Sequence, residues 1–457
     1  VNVPVDGTIT SAKLSGALVT PSSLTVTGDL ITTTSGTSNF VAGVNAGNSI
    51  ASGGNYNVVV GDEAGTAITT GDLHTFIGYG AGDAVTTEAT GLTAIGANAL
   101  TANTSGTNNL AIGVSALEDC TEGIGNIAVG RYAAADIVDA DGNVAIGGFD
   151  GTVQPAMRLN TKSHDNVAIG AGALATHNLT DNSSGYNVAV GYAAGAAVTT
   201  GIQNTIIGGL AGDAVTTGSY NVILGTNGGG GVTTGSQNII IGQGTAMGVL
   251  TGSLNTIVGD SAGAAMTSGT QNVAVGALTL DANTTGQRNT AVGQQAMGFN
   301  TTGDFNTALG RDALHKNTTA DYNVALGYGA LYENTTGAPN VAVGANALDA
   351  NTTGGSNVAT GFESLTANTT GNFNTALGRG ALAANVTAHR STAVGYNALT
   401  TANVSGDSNA YNTAFGFGAG AAVTTAVQST LIGALSGDAI TTGVQNTIVG
   451  YNNDVDT

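Results

Sequence analysis

The sequence predicts an all-β protein, namely a parallel β-solenoid or β-roll of about 24 coils with a 17-residue repeat. Three observations predict it: a recurring motif of the Asn-x-x-x-Gly type, the near-constant interval between its copies, and a composition rich in Gly and β-branched residues. In a solenoid each coil stacks on the next, so coils of equal length keep equivalent residues in register.

The Gly of the motif occurs 24 times between Gly43 and Gly450, at intervals of 17 residues except for two of 18, two of 21 and one of 23. We number each coil from the residue four before this Gly, which is Asn in 20 of the 24 coils. Positions 2 to 4 form an apolar run, and positions 12 to 15 commonly read N-T-T-G or V-T-T-G. This pattern predicts two short strands per coil, separated by turns. The position-1 residues other than Asn are His74, Leu92, Ser391 and Ser429.

The composition excludes a helical protein and a disordered chain. Gly accounts for 73 of the 457 residues, and this density is incompatible with helices. The apolar fraction of 41% is too high for disorder, and the small and β-branched residues that supply it suit thin β-layers.

The charge balance excludes several classes of partner. With 9 basic against 29 acidic residues the net charge is −20, so we expect no binding to nucleic acid or to an anionic membrane surface. The single Cys120 allows no intrachain disulfide and no Cys/His zinc site. No apolar stretch reaches 18 residues, so we expect no membrane insertion, and no cofactor or metal site is predicted.

Positions 3 and 9 predict the interior, because a small residue at one accompanies a large residue at the other. Ala308 occurs with Leu314, and conversely Phe76 occurs with Gly82. In most coils with Gly at position 9, position 12 is also apolar, so positions 3, 9 and 12 are expected to share one close-packed core. The clearest exceptions, both with two small residues, are Ala189 with Gly195 and Ala414 with Gly420.

Positions 2 and 4 point to the opposite face of the strand, yet they too are Val, Ile, Leu or Thr almost everywhere. A strand that is apolar on both faces is expected to be buried on both. Since a thin solenoid has only one interior, the second face predicts contact with other copies of the chain in a cyclic bundle. Three copies are expected, although the pattern by itself also allows two.

The motif resembles the repeats in the head of YadA-type trimeric autotransporter adhesins. The matching runs are N-V-A-I-G at 143–147 and 166–170 and N-L-A-I-G at 109–113, and the resemblance covers about 39–450. It implies a left-handed, homotrimeric parallel β-roll. The repeat of 17 is longer than the coil of that family, so the match is to the class of structure rather than to its coil geometry.

A second resemblance, to tail fibres of marine bacteriophages including cyanophages, rests on runs such as TAVGYNALTTANVSGDSNAYNTAFG at 392–416. Residues 5–36 are similar to short linker modules that precede the shaft of such fibres. This resemblance implies a linker or attachment segment at 1–38 that joins other tail or fibre proteins, a shaft at 39–450 and a tail at 451–457. It favours a virion component over a bacterial surface adhesin, because no autotransporter stalk or anchor follows the repeats.

The irregular intervals predict loops that bulge from the solenoid at 147–166, 176–186 and 400–411. The first contains Arg158, Lys162 and His164, which are candidates for lateral contacts with a host-surface glycan or protein. Neutral decoration of the shaft is the alternative.

No catalytic constellation is predicted, and we expect the chain not to be an enzyme. The acidic clusters at 62–63, 118–119 and 136–141 are typical of solvated turns, and the five His residues are scattered. The recurrent Asn at position 1 is interpreted as a ladder that links coil to coil, with a surface array of ligands as the alternative. A tailspike-like polysaccharide-degrading solenoid is the remaining functional alternative.

Overall fold

The computed structural model describes residues 34–86, 89–406 and 408–453. Within these residues the chain is all-β and forms a parallel β-solenoid, as predicted. Each coil contributes one strand, and each strand pairs in parallel with the strand of the next coil, so that 24 strands form one sheet. The strands are β1 Phe40–Ala42, β2 Val58–Val60, β3 Thr75–Ile77, β4 Thr93–Ile95, β5 Leu110–Ile112, β6 Ile127–Val129, β7 Val144–Ile146, β8 Val167–Ile169, β9 Val188–Val190, β10 Thr205–Ile207, β11 Val222–Leu224, β12 Ile239–Ile241, β13 Thr256–Val258, β14 Val273–Val275, β15 Thr290–Val292, β16 Thr307–Leu309, β17 Val324–Leu326, β18 Asn340–Val343, β19 Asn357–Thr360, β20 Thr375–Leu377, β21 Thr392–Val394, β22 Thr413–Phe415, β23 Thr430–Ile432 and β24 Thr447–Val449.

The expectation of two strands per coil is wrong, because only the apolar run around positions 2 to 4 forms a strand. Positions 7, 9 and 17 adopt left-handed backbone conformations, for example Asp312 (φ 57°), Leu314 (φ 52°) and Tyr322 (φ 58°). A β-strand cannot contain such residues, so the remainder of the coil is a series of turns. Outside the strands, the described residues form only four isolated parallel bridges.

Backbone hydrogen bonds nevertheless link the coils on every side. In the coil that starts at Asn306, the N–H of Leu314 donates to the carbonyl of Ala330 at 2.9 Å, and the N–H of Thr318 donates to that of Thr335 at 3.1 Å. The turns therefore satisfy their backbone groups from the neighbouring coil, as the strands do. At about 4.8 Å per coil, the 24 strands extend over roughly 110 Å.

The Gly at position 5 is required by its conformation and by its surroundings. Gly310 has φ 135°, in a region that residues with a side chain avoid. A Cβ at this position would lie 2.5 Å from the carbonyl oxygen of Gly327 in the next coil. These two constraints explain why all 24 coils carry Gly here.

The interior is the one predicted from positions 3, 9 and 12. Ala308 and Leu314 have no exposed surface, and neither has Asn317 at position 12 of the same coil. Where position 9 is Gly, the large residue at position 3 takes the vacant space: a Cβ on Gly82 would lie 2.6 Å from the ring of Phe76. Position 8, usually Ala, is buried as well, which the sequence pattern did not indicate.

The two exceptions to the size rule are explained by the coils on either side. The vacant space at Gly195 is reached by Leu174 from the preceding coil (3.3 Å from the Cβ position) and by Ile206 from the following coil (3.0 Å). Gly420 is bracketed in the same way by Leu399 and Leu431. The volume of the core is therefore conserved across neighbouring coils rather than within each one.

The Asn residues at position 1 form the expected ladder. The side-chain oxygen of Asn306 accepts the N–H of Asn323 at 2.9 Å, and its amide donates to the carbonyl of Ala320 in its own coil at 2.8 Å. Asn is suited to this buried position because it supplies an acceptor and a donor at once.

Two further ladders were not predicted. At position 12 the amide of Asn334 donates to the side-chain oxygen of Asn317 and to the carbonyl of Gly337, both at 3.0 Å. At position 16 a side-chain acceptor receives the backbone N–H of position 16 in the preceding coil, as Asp321 does from Asp304 at 2.6 Å. Polar groups are thus satisfied along three columns of the rod.

The terminal segments inferred from the sequence lie largely outside the described residues. Residues 1–33 of the inferred 1–38 segment and residues 454–457 of the inferred 451–457 tail are outside them. The described strands run from Phe40 to Val449, within the shaft inferred at 39–450.

Candidate functional site

The first candidate site is the outer face of the sheet, formed by positions 2 and 4 of all coils. These side chains are half-buried or exposed in the single chain, while position 3 between them is buried. Leu309 is 40% exposed and Phe415 is 58% exposed. Neither column contains a charged residue in any of the 24 coils. The outer face is therefore a continuous apolar surface along the rod.

Two columns of larger side chains, positions 17 and 6, flank the outer face. They alternate aromatic and Arg side chains along the axis: the guanidinium carbon of Arg390 lies 5.2 Å from the ring centroid of Phe373 and 5.9 Å from that of Tyr411. Arg379 lies in the same way between Phe362 and Tyr396. Cation–π contacts thus hold these few cations against the sheet.

The longest irregular interval contains an insertion loop, which we define as residues 148–155. The repeat frame resumes at Ala156 and Met157, which occupy the buried positions 8 and 9. The six extra residues therefore lie between positions 5 and 8, at the edge of the outer face, rather than throughout 147–166. The other two long intervals place their extra residues between positions 12 and 16, within 178–184 and 403–408.

The three basic residues singled out in this interval do not converge on one site. Each pairs with an Asp of the preceding coil: Arg158 with Asp136, Lys162 with Asp139 at 3.9 Å, and His164 with Asp141 at 3.4 Å. The acidic cluster at 136–141 and the basic residues of the next coil thus form a row of coil-to-coil pairs. Of the three, only Arg158 lines a cavity.

A cavity of about 220 Å³ lies between the insertion loop and the preceding coil. Arg131, which the sequence patterns did not single out, adjoins it: its guanidinium carbon lies 5.0 Å from the ring centroid of Tyr132 and 5.8 Å from that of Phe149. The sequence separates these two rings by a bulge of unpredictable path, so only the structure brings them together. The lining residues are Tyr132, Phe149, Gln154, Pro155 and Arg158.

A second cavity, of about 290 Å³, opens where Gly329 leaves a gap in the column of position 7. Its character is acidic, but its carboxylates are engaged: Asp312 pairs with Arg311 at 3.1 Å and Glu333 with Lys316 at 2.8 Å. Burial raises the pKa of Asp349, which also accepts a hydrogen bond from Thr366. The lining residues are Asp312, Tyr328, Gly329, Tyr332, Glu333, Asn346, Asp349 and Ala350.

Two of the five His residues are buried within the Asn columns. His74 occupies position 1 and stacks on Phe76 at 5.0 Å, and His177 occupies position 12, where Nε2 lies 2.9 Å from the Ser163 hydroxyl. Burial lowers the pKa of each imidazole to about 4. Both are therefore neutral at pH 7 and act as polar members of the ladders.

Cys120 is buried, and desolvation raises the pKa of its thiol to about 12, so it is not poised as a nucleophile. The described part of the chain contains no group of three or more His, Cys, Asp or Glu residues placed to hold a metal ion. Among the same residues, no helix is long and apolar enough to cross a membrane.

Comparisons with known proteins leave the family open. No protein-family model matches the chain, and no curated protein matches it either.

Proposed function

We propose that the chain is a structural fibre protein, the shaft of a phage tail fibre, in which three copies position a receptor-binding tip for host attachment. The observation that carries the proposal is the uncharged outer face, which extends through all 24 coils without interruption. Burial of such a surface is favourable at roughly 25 cal/mol per Å² of apolar area, so exposure along the whole rod is unfavourable.

A second and a third copy of the chain are the partners that fit this face best. A partner must be as long as the rod and must repeat every 4.8 Å or so to pack against each coil, and a parallel copy meets both requirements. Copies arranged around a common axis turn the outer faces inward and leave the acidic surface in solvent. In this arrangement the left-handed coil expected from the resemblance is retained.

The mechanism is mechanical. Coil-to-coil hydrogen bonds on every side and the three side-chain ladders make the rod resistant to bending and to local opening. Contacts to other tail proteins would be made through the N-terminal segment, and the location would be the virion.

Two alternative functions lead to different experiments. A bacterial surface adhesin head would be found on cells rather than on virions, so antibodies against the chain would label the bacterial surface. A tailspike-like solenoid would release oligosaccharides from host polysaccharide, whereas the proposed shaft would release none.

Negative-stain electron microscopy of the full chain, together with antibody labelling of phage particles, tests the proposal. We expect straight rods at least 110 Å long, as the stacking distance requires, and label on tail fibres. An outer-face variant with Ile169→Asp and Leu309→Asp should give thinner particles, because a charge buried between copies is strongly unfavourable. Label confined to cells, or unchanged rods in the variant, would contradict the proposal.

A further inference from the structure

We propose that the cavity beside the insertion loop binds a saccharide that carries a carboxylate group, with Arg131 and Arg158 as the cationic contacts. This inference concerns a lateral site on the rod, and it does not depend on self-association or on a phage origin.

The insertion loop is an ordered structure that departs from an otherwise strict repeat. The carboxylate of Asp150 accepts the backbone N–H groups of Thr152 and Val153, both at 2.8 Å, and the Thr152 hydroxyl at 2.9 Å. These bonds fold the loop back so that Phe149 and Pro155 face Tyr132 across the cavity. The added residues thus build a concave surface beside the core.

The cationic character of the cavity contrasts with the net charge of −20. Arg131 forms no ion pair with the described residues, and the rings of Tyr132 and Phe149 hold its guanidinium in place. A guanidinium fixed in this way presents its N–H fork to a carboxylate, which it binds bidentately. Association with Asp136 partly neutralises Arg158. The cavity therefore suits a single negative charge better than a polyanion.

The remaining lining groups and the size of the cavity select the rest of the ligand. Gln154 can donate to and accept from hydroxyl groups, while Phe149 and Pro155 offer apolar surface to the C–H groups of a sugar ring. A volume of about 220 Å³ corresponds to roughly seven water molecules at ~30 Å³ each, which is room for one sugar ring with its carboxylate.

Isothermal titration calorimetry of the full chain at pH 7, with glucuronate, glucose and sulfate as probes, tests the proposal. We expect glucuronate to bind at least tenfold more tightly than either glucose or sulfate, with an affinity that falls as salt is added. Arg131→Gln should weaken glucuronate binding at least tenfold. Replacement of 148–155 by Tyr-Gly, the residues at positions 6 and 7 of the coil that contains Gly329, restores a 17-residue coil and should abolish binding.

Arg288→Gln is the matched control, because Arg288 lies over the ring of Phe305 at 5.1 Å in a coil without an insertion. This variant should bind glucuronate like the wild type, and circular dichroism should show that all variants retain the solenoid. Absence of glucuronate binding, equal binding of glucose, or unchanged binding by Arg131→Gln would overturn the proposal. Sulfate binding as tight as that of glucuronate would overturn the assignment to a saccharide.

Discussion

Two stretches of the solenoid fill the same interior in opposite ways. In residues 204–271, which we call the Ile-filled segment, position 3 is Ile, position 9 is mostly Gly and position 12 is apolar. In residues 272–390, the Leu-filled segment, position 3 is Ala, position 9 is Leu or Met and position 12 is Asn. The strands pair in the same register throughout both segments.

The difference shows that the backbone tolerates two packing solutions as long as neighbouring coils agree. Leu at position 9 reaches toward the following coil, and a large residue at position 3 reaches toward the preceding one, as Leu174 and Ile206 do around Gly195. A change from Leu-filled to Ile-filled coils therefore needs an intervening coil with small residues at both positions. The reverse change, from Ile257 to Leu280, needs none, and none is present.

The largest effect is expected at position 5, which the two segments share. Gly225→Ala in the Ile-filled segment and Gly327→Ala in the Leu-filled segment should each lower the free energy of unfolding by more than about 4 kcal/mol, because a Cβ would meet backbone atoms 2.6 Å away. Urea denaturation of both variants measures this. A clear difference between the two would show that the backbone differs between segments.

Truncation at position 9 should distinguish the segments. Leu331→Ala should cost about 3 kcal/mol, because it removes a fully buried side chain that no Ile at position 3 replaces. Leu331→Met is the matched control, since Met297 occupies the same position two coils earlier, and it should cost less than about 1.5 kcal/mol. Equal urea midpoints for Leu331→Ala and the wild type would mean that position 3 and position 9 do not share one core.

His177, which precedes the boundary between Leu-filled and Ile-filled coils, makes stability depend on pH. Its folded-state pKa of about 4 lies below the ordinary value of 6.5, so the unfolded chain binds the proton more readily. The stabilising contribution is fully present above pH 6.5 and is lost as the pH falls from 6.5 to 4, by up to about 1.4 kcal/mol per pH unit.

His177→Asn, which restores the residue found at position 12 in the Leu-filled segment, should reduce this pH dependence. His74→Asn should do so to a similar extent, because burial also lowers the pKa of His74 to about 4. The measurement is the free energy of unfolding from urea denaturation at several pH values between 7 and 4. An unchanged slope in both variants would refute the assignment of buried neutral imidazoles.

The smallest effect is expected from exchanging the residues at position 12. Asn334→Val removes the side-chain partners of Asn317 and Asn351 and should cost about 2 kcal/mol. Val215→Asn in the Ile-filled segment should cost a similar amount, because the buried amide would find no Asn in the neighbouring coils. If both variants denature at the same urea concentration as the wild type, the ladder at position 12 contributes nothing to stability.

The sequence was sufficient for the fold class, the coil frame and the core, because a fixed interval repeated 24 times averages out local ambiguity. It failed for the second strand of each coil, since left-handed conformations at residues such as Leu314 carry no composition signal. It also missed Arg131, whose neighbours Tyr132 and Phe149 come together only through the path of the insertion loop. The ladder at position 12 was hidden because Asn there alternates with apolar residues.

Native mass spectrometry of the full chain tests the central claim that the outer face packs against copies of the chain. The account predicts a dominant species of three times the 44.3 kDa chain mass, which the variant with Ile169→Asp and Leu309→Asp dissociates. A single species of 44.3 kDa at micromolar concentration would contradict it.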